Sequence, residues 1–60
     1  MQQRINYWRE HSTTDPTGFH EGVVVYHDEE SGNYIVREIP NGNYYHVDSD
    51  DWTGRLLGRP

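Results

Sequence analysis

The chain has 60 residues, enough for one small domain with a single thin core. It carries ten carboxylates against five arginines, with no lysine and no cysteine, so its net charge is −5. This composition excludes disulfides and thiolate metal sites, and its negative field repels nucleic acid and membrane surfaces while attracting basic partners.

The first predicted element covers residues 1–11, and its pattern is ambiguous. Ile5 and Tyr7 alternate as in a strand, whereas Ile5 and Trp8 have helical spacing. We favour a strand, because a three-stranded sheet alone leaves one face uncovered. The composition of residues 12–21, with Ser, Thr, Asp, Pro and Gly, predicts a loop. The first four residues lack the apolar stretch of a secretory signal, and the longest apolar run, residues 23–26, is far short of the roughly 20 residues of a membrane span, so we expect a soluble, cytoplasmic protein.

Residues 22–48 carry the strongest pattern, three segments rich in β-branched and aromatic residues. Turn residues separate them, and Gly32 and Gly42 suit the left-handed position of three-residue hairpin loops. A two-residue turn at 41–42 is the alternative for the second loop. The pattern therefore predicts an antiparallel meander with strands over 22–28, 34–39 and 43–48.

The loop lengths predict which side chains share a face. With three-residue loops, Val25 lies opposite Arg37, and Arg37 lies opposite Tyr45. Both resulting faces are candidates for the core. One collects Val23, Val25, Ile35, Ile39, Tyr45 and Val47, and the other collects Val24, Tyr26, Tyr34, Val36, Tyr44 and His46.

Residues 49–60 are predicted to form a turn and a closing tail. Short acidic side chains after the third strand suit a one-turn 3₁₀ element near 48–52, where they cap backbone donors. Trp52 is then expected to enter the core, and residues 55–58 to form a short closing strand or a docked tail.

This order of segments resembles the small Src-homology-3-like barrels, most of all the Tudor or chromatin-reader type. The resemblance implies an all-β fold, a small antiparallel meander closing to a barrel, and a role in binding peptides, modified side chains or nucleic acid. A Tudor-type aromatic cage reads methylammonium groups; under this resemblance Tyr26, Tyr34 and Asp28 would supply only part of one, so a complete cage is not carried over. The resemblance rests on Gly-Val-Val-Val-Tyr at 22–26, Glu-Ser-Gly-Asn-Tyr-Ile-Val-Arg at 30–37, Asn-Gly at 41–42, Tyr-His-Val-Asp at 45–48 and Asp-Asp-Trp at 50–52.

Two groups of residues are candidates for a partner-binding site. Six of the ten carboxylates fall in two turns that the predicted register brings to one end of the sheet. Such an acidic pole suits docking on an arginine- or lysine-rich surface, and a solvated turn that keeps the protein soluble is the alternative. The tyrosine face suits an interface or a homodimer contact, unless it is covered as core. The candidates are Asp28, Glu29, Glu30, Asp48, Asp50 and Asp51 in the pole, and Tyr26, Tyr34, Tyr44 and His46 on the face.

Neither a metal site nor a catalytic site is predicted. The four histidines (His11, His20, His27 and His46) lack the spacing of a zinc motif, and the chain has no cysteine or lysine nucleophile and no glycine-rich phosphate loop. We therefore expect no cofactor and no enzyme activity.

The predicted function is a non-catalytic protein-binding module that docks its acidic, tyrosine-rich surface on a basic partner. A phage-type inhibitor or nucleic-acid mimic acting on a nucleic-acid enzyme fits this small acidic chain. The alternatives are a structural module that pairs through its tyrosine face and a Tudor-like reader of a methylated or basic peptide.

Overall fold

A computed structural model describes residues 3–9 and 18–60. These residues form five strands: β1 (Arg4–Arg9), β2 (Phe19–His27), β3 (Tyr34–Glu38), β4 (Tyr44–Val47) and β5 (Thr53–Gly58). Each strand pairs with the next in antiparallel fashion, and β5 pairs with β1 in parallel, which closes the barrel. The all-β prediction is confirmed, and the barrel is consistent with the Src-homology-3-like architecture in general.

The N-terminal element is the strand β1. It pairs with the beginning of β2, where Tyr7 lies opposite His20 and Trp8 opposite Phe19. Residues 19–21 are therefore strand, although they were expected to belong to the loop. The rest of that loop, apart from Gly18, and His11 lie outside the described residues. In the part of the chain that the structure describes, no helix is long and apolar enough to cross a membrane.

Both hairpin loops of the meander are one residue longer than predicted. In the first, the N–H of Gly32 donates to the carbonyl of Asp28 at 2.7 Å, and the N–H of Asp28 donates to the carbonyl of Asn33 at 2.9 Å. The second loop repeats this pattern, with Gly42 donating to Glu38 at 2.8 Å. The two glycines take φ values of 82° and 75°, the left-handed conformation expected of them.

The longer loops shift the register by one residue and correct the predicted faces. Val36 lies opposite Val24 and Tyr45, and β2 has a bulge at Val25. Val36 is consequently fully buried, whereas Val25 is 48% and Ile39 45% exposed. The predicted pairing of Val25 with Arg37 was wrong, and so was the two-residue alternative at 41–42.

The core lies inside the barrel and is small. It consists of Tyr7, Val36, Tyr45 and Val47, with Ile5, Val24 and Tyr34 packed against it. The Tyr7 ring fits only because β5 carries a glycine beside it, since a Cβ on Gly54 would lie 2.6 Å from its Cδ2.

A buried carboxylate completes the interior. Glu38 is 2% exposed, and its Oε1 accepts a hydrogen bond from the Tyr7 hydroxyl at 2.8 Å. The amide of Asn41 donates to Oε2 at 2.6 Å, the Arg9 guanidinium lies 3.4 Å from Oε2, and Nδ1 of His20 lies 3.5 Å from Oε1. Glu38 therefore joins β1, β2, β3 and the second loop.

The surroundings of Glu38 also change the pKa of its partners. Burial and the hydrogen bond to Glu38 raise the pKa of Tyr7 far above its usual range. Burial alone would lower the pKa of Arg9, but its hydrogen bond to the Tyr45 hydroxyl, at 2.9 Å, and the charge of Glu38 raise it. Tyr7 thus stays a neutral donor and Arg9 stays a cation.

Candidate protein-binding surface

Trp52 has a backbone conformation that a bulky side chain rarely adopts. Its φ is 59°, and it is the one non-glycine residue with positive φ in the described ranges 3–9 and 18–60. Its N–H donates to the carbonyl of Asp48 at 2.7 Å, and its carbonyl accepts the N–H of Trp8 at 2.7 Å. The bond to Asp48 spans four residues, so residues 49–51 form a wider turn than the predicted 3₁₀ element.

This conformation keeps the Trp52 ring at the surface. The side chain is 39% exposed and does not enter the core, which corrects the prediction. Its ring stacks on Tyr34, with 5.9 Å between centroids and 22° between planes. Tyr34 in turn stacks on His27, with 4.3 Å between centroids and 10° between planes.

A second aromatic pair lies on the other side of Trp52. The rings of Trp8 and Phe19 are 4.1 Å apart, and these side chains are 44% and 48% exposed. A shallow hollow of about 410 Å³ joins the pair to Trp52, with Ile5, Asn6 and Asp51 completing its lining.

We call the connected surface the aromatic strip, and of its five residues only Tyr34 was predicted as a site residue. Strand alternation was the signal that could have revealed part of it: with Tyr7 inside the barrel, Trp8 has to face outward. The strip consists of His27, Tyr34, Trp52, Trp8 and Phe19.

The two acidic turns meet at one end of this strip. The backbone N–H of Ser49 donates to Oδ1 of Asn33 at 3.1 Å, which joins the turn after β2 to the turn after β4. The six carboxylates predicted to form an acidic pole therefore do lie on neighbouring turns: Asp28, Glu29, Glu30, Asp48, Asp50 and Asp51.

Three of these carboxylates hold the turns together. Asp28 accepts the N–H of Glu30 at 3.1 Å and the hydroxyl of Ser31 at 3.0 Å. These hydrogen bonds, the one from Ser31 first, lower the pKa of Asp28. In the turn after β4, the carboxylate of Asp48 accepts the N–H of Asp50 at 2.8 Å, and the carboxylate of Asp51 accepts the N–H of Thr53 at 2.9 Å.

The other three carboxylates of the pole are available to a partner. The side chains of Glu29, Glu30 and Asp50 form no hydrogen bond or ion pair with another residue of the described ranges. Their charge is not needed to close either turn.

The predicted tyrosine face is divided by the observed register. Tyr34 packs against the core, while Tyr26 and Tyr44 lie outside and are 58% and 37% exposed. His46 lies opposite Ile35, in the same row as Tyr26, and Tyr44 lies opposite Arg37 in another row. The four side chains do not form one continuous stripe.

Among residues 3–9 and 18–60, no group of three histidine or carboxylate side chains is arranged to hold a metal ion. No protein-family model, curated protein or solved structure matches the chain.

Proposed function

We propose that this barrel is a non-catalytic binding module that docks its aromatic strip and acidic pole on an arginine-rich surface of another protein. The observation that carries the proposal is Trp52, a half-exposed tryptophan held in a left-handed conformation. Such backbone conformations cost on the order of 1–3 kcal/mol and cluster at binding sites. The ring also adds little to the core, so a role at the surface accounts better for the strain.

The charge around the strip favours a basic partner. Asp51 lines the hollow beside Trp52, and Asp28 and Asn33 lie next to Tyr34. Carboxylates beside exposed aromatic faces attract cations through both Coulombic and cation–π interactions. The carboxylates of Glu29, Glu30 and Asp50, which have no partner among the described residues, add to the negative potential there.

The stacked geometry favours arginine over methylated lysine. An ammonium cage needs rings that surround an open space, whereas His27 and Tyr34 lie 4.3 Å apart and cover each other's faces. A guanidinium is planar and stacks on an exposed ring face while its N–H groups reach neighbouring carboxylates. Nucleic-acid-binding proteins present such arginine-rich surfaces, so an inhibitor or mimic of nucleic acid stays within this proposal.

The test uses three synthetic peptides of equal length and charge, built from arginine, lysine or trimethyllysine alternating with glycine. Titration is followed by tryptophan fluorescence and by amide chemical shifts. We expect the arginine peptide to bind most tightly, with shifts at Tyr34, Trp52 and Trp8, and the affinity to fall as salt rises. Tightest binding of the trimethyllysine peptide would instead support the Tudor-like reader.

Matched variants test how much the acidic pole contributes to binding without removing the side-chain hydrogen bonds that close the two turns. Asp50→Lys and Glu30→Lys reverse charges that cap nothing, and each should weaken the arginine peptide by about threefold to tenfold at low salt. Glu21→Lys makes the same charge change on β2 and should have a smaller effect. Equal effects at all three positions, or none, would contradict docking at the acidic pole.

A further inference from the structure

A second row of side chains crosses the outside of the barrel. Arg4 of β1 lies opposite Val23 of β2, Val23 lies opposite Arg37 of β3, and Arg37 lies opposite Tyr44 of β4. Directly paired residues point to the same face, so two arginines flank Val23 at backbone positions about 10 Å apart. Two of the five basic residues of an acidic chain thus share one row.

This row is the floor of a groove of about 650 Å³. The second hairpin loop forms one wall, and the groove lies at the opposite end of β3 from the acidic pole. The guanidinium of Arg37 lies along this loop, since a Cβ on Gly42 would be 3.2 Å from its Nη2. Ile39 and Pro40 of this loop, together with Val25 of β2, give the groove an apolar part, and Glu38 and Asn41 also line it.

The described carboxylates near this row do not form strong ion pairs with Arg4 or Arg37, so both arginines are available to a ligand. Among the described residues, no carboxylate forms an ion pair with Arg37. Arg4 lies 3.9 Å from Glu21, with the two side chains 65% and 49% exposed, which is a weak surface pair. Glu38 reaches the groove wall, but its oxygens already face Tyr7, Arg9, His20 and Asn41.

We infer that this groove binds the phosphate monoester of a small apolar or aromatic molecule. The guanidiniums of the two arginines that flank Val23 in the strand pairing supply more donors than the two oxygens of a carboxylate use, and they match the three oxygens of a phosphate dianion. The ring of Tyr44 and the apolar walls would contact the body of the ligand. A polyanion such as nucleic acid is disfavoured by the net charge of −5, whereas a small dianion meets mainly the local field.

The test is a titration of the intact protein with phenyl phosphate, inorganic phosphate and benzoate, followed by amide and arginine Nε–H chemical shifts. We expect phenyl phosphate to bind most tightly, with shifts at Val23, Arg37, Gly42 and Tyr44. Benzoate binding as tightly as phenyl phosphate would overturn the choice of phosphate, and inorganic phosphate binding as tightly would overturn the role of the apolar walls.

Three substitutions locate the site. Arg37→Gln should weaken phenyl phosphate by about tenfold or more, while Arg59→Gln, which removes the same charge outside the row, should change affinity less than about twofold. Glu21→Gln releases Arg4 and should tighten binding by about twofold to fivefold, a gain that general damage to the fold cannot produce. Equal losses for Arg37→Gln and Arg59→Gln, or no gain for Glu21→Gln, would overturn the inference.

Discussion

The ring of Trp52 lies nearly parallel to that of Tyr34, 5.9 Å away, while the Trp52 backbone holds a φ of 59°. Tyr34 packs against the core, whereas Trp52 lies at the surface, directly after the turn at residues 49–51. The stack thus connects the folded interior with the exposed aromatic strip. This stacking places the Trp52 ring between the acidic pole and the hollow that Trp8 lines.

Substitution of two valines tests the observed register. Val36 is 0% and Val25 48% exposed, so Val36→Ala removes buried methyl groups and leaves a cavity, whereas Val25→Ala does neither. We expect losses of about 2–3 kcal/mol for Val36→Ala and less than about 1 kcal/mol for Val25→Ala, measured by urea unfolding. The predicted three-residue loops require the opposite order if Val25 belongs to the core.

Two glycines of β5 form a matched pair. A Cβ on Gly54 would lie 2.6 Å from the Tyr7 ring, while a Cβ on Gly58 would have no atom within 4 Å. Gly54→Ala should therefore cost about 1–3 kcal/mol of unfolding free energy through overpacking, and Gly58→Ala should be nearly neutral. Similar effects from the two substitutions would mean that Tyr7 does not fill the space between β1 and β5.

The Glu38 network should contribute strongly to stability. Glu38→Gln keeps the shape but removes the charge that faces Arg9, and it should destabilise the protein by about 2–4 kcal/mol. Tyr7→Phe removes one donor to Glu38 and should cost about 1–3 kcal/mol. Thermal unfolding of both variants and of the double variant measures the coupling. Additive losses would show that the two side chains act independently.

Acid should weaken the first hairpin loop through Asp28. Because its folded pKa is lowered, this carboxylate stabilises the fold at pH values above its unfolded pKa, near 4, and that contribution is lost as the pH falls through the folded pKa. Asp28→Asn should therefore remove part of the stability change between about pH 5 and pH 2. Asp50→Asn, at a side chain without a cap role, should leave that pH dependence nearly unchanged.

The sequence predicted the strands well because alternation and turn residues are local signals. Gly32 and Gly42 marked both hairpin loops correctly. The length of the loops was not predictable from these glycines. Each loop has four residues and is closed by a hydrogen bond from the glycine N–H to the carbonyl four residues earlier, and a glycine at this position suits a three-residue loop equally well. One extra residue in a loop exchanges the faces of the following strand, and this is why Val36 was grouped with Tyr44 and His46 and not with Tyr45 and Val47.

The site was predicted only in part, for a related reason. The acidic pole depends on which strand ends meet, and a slip of one residue leaves that unchanged, so Asp28 and Asp48 remain on neighbouring turns. The tyrosine face depends on which alternate side chains of neighbouring strands point to the same side. The shift of the register by one residue changes this, so the predicted face does not form. The aromatic strip requires closure of β1 onto β5, a long-range contact that no local pattern in the sequence indicates.

The most direct test is Trp52→Asn, measured for both urea unfolding and binding of the arginine peptide. Asparagine accepts the left-handed conformation, so relief of backbone strain should offset much of the lost stacking, and stability should change by no more than about 1–2 kcal/mol. Binding should weaken by about tenfold or more, because the ring joins the two halves of the aromatic strip. A stability loss above about 3 kcal/mol with peptide affinity unchanged would show instead that Trp52 serves the fold and not the partner.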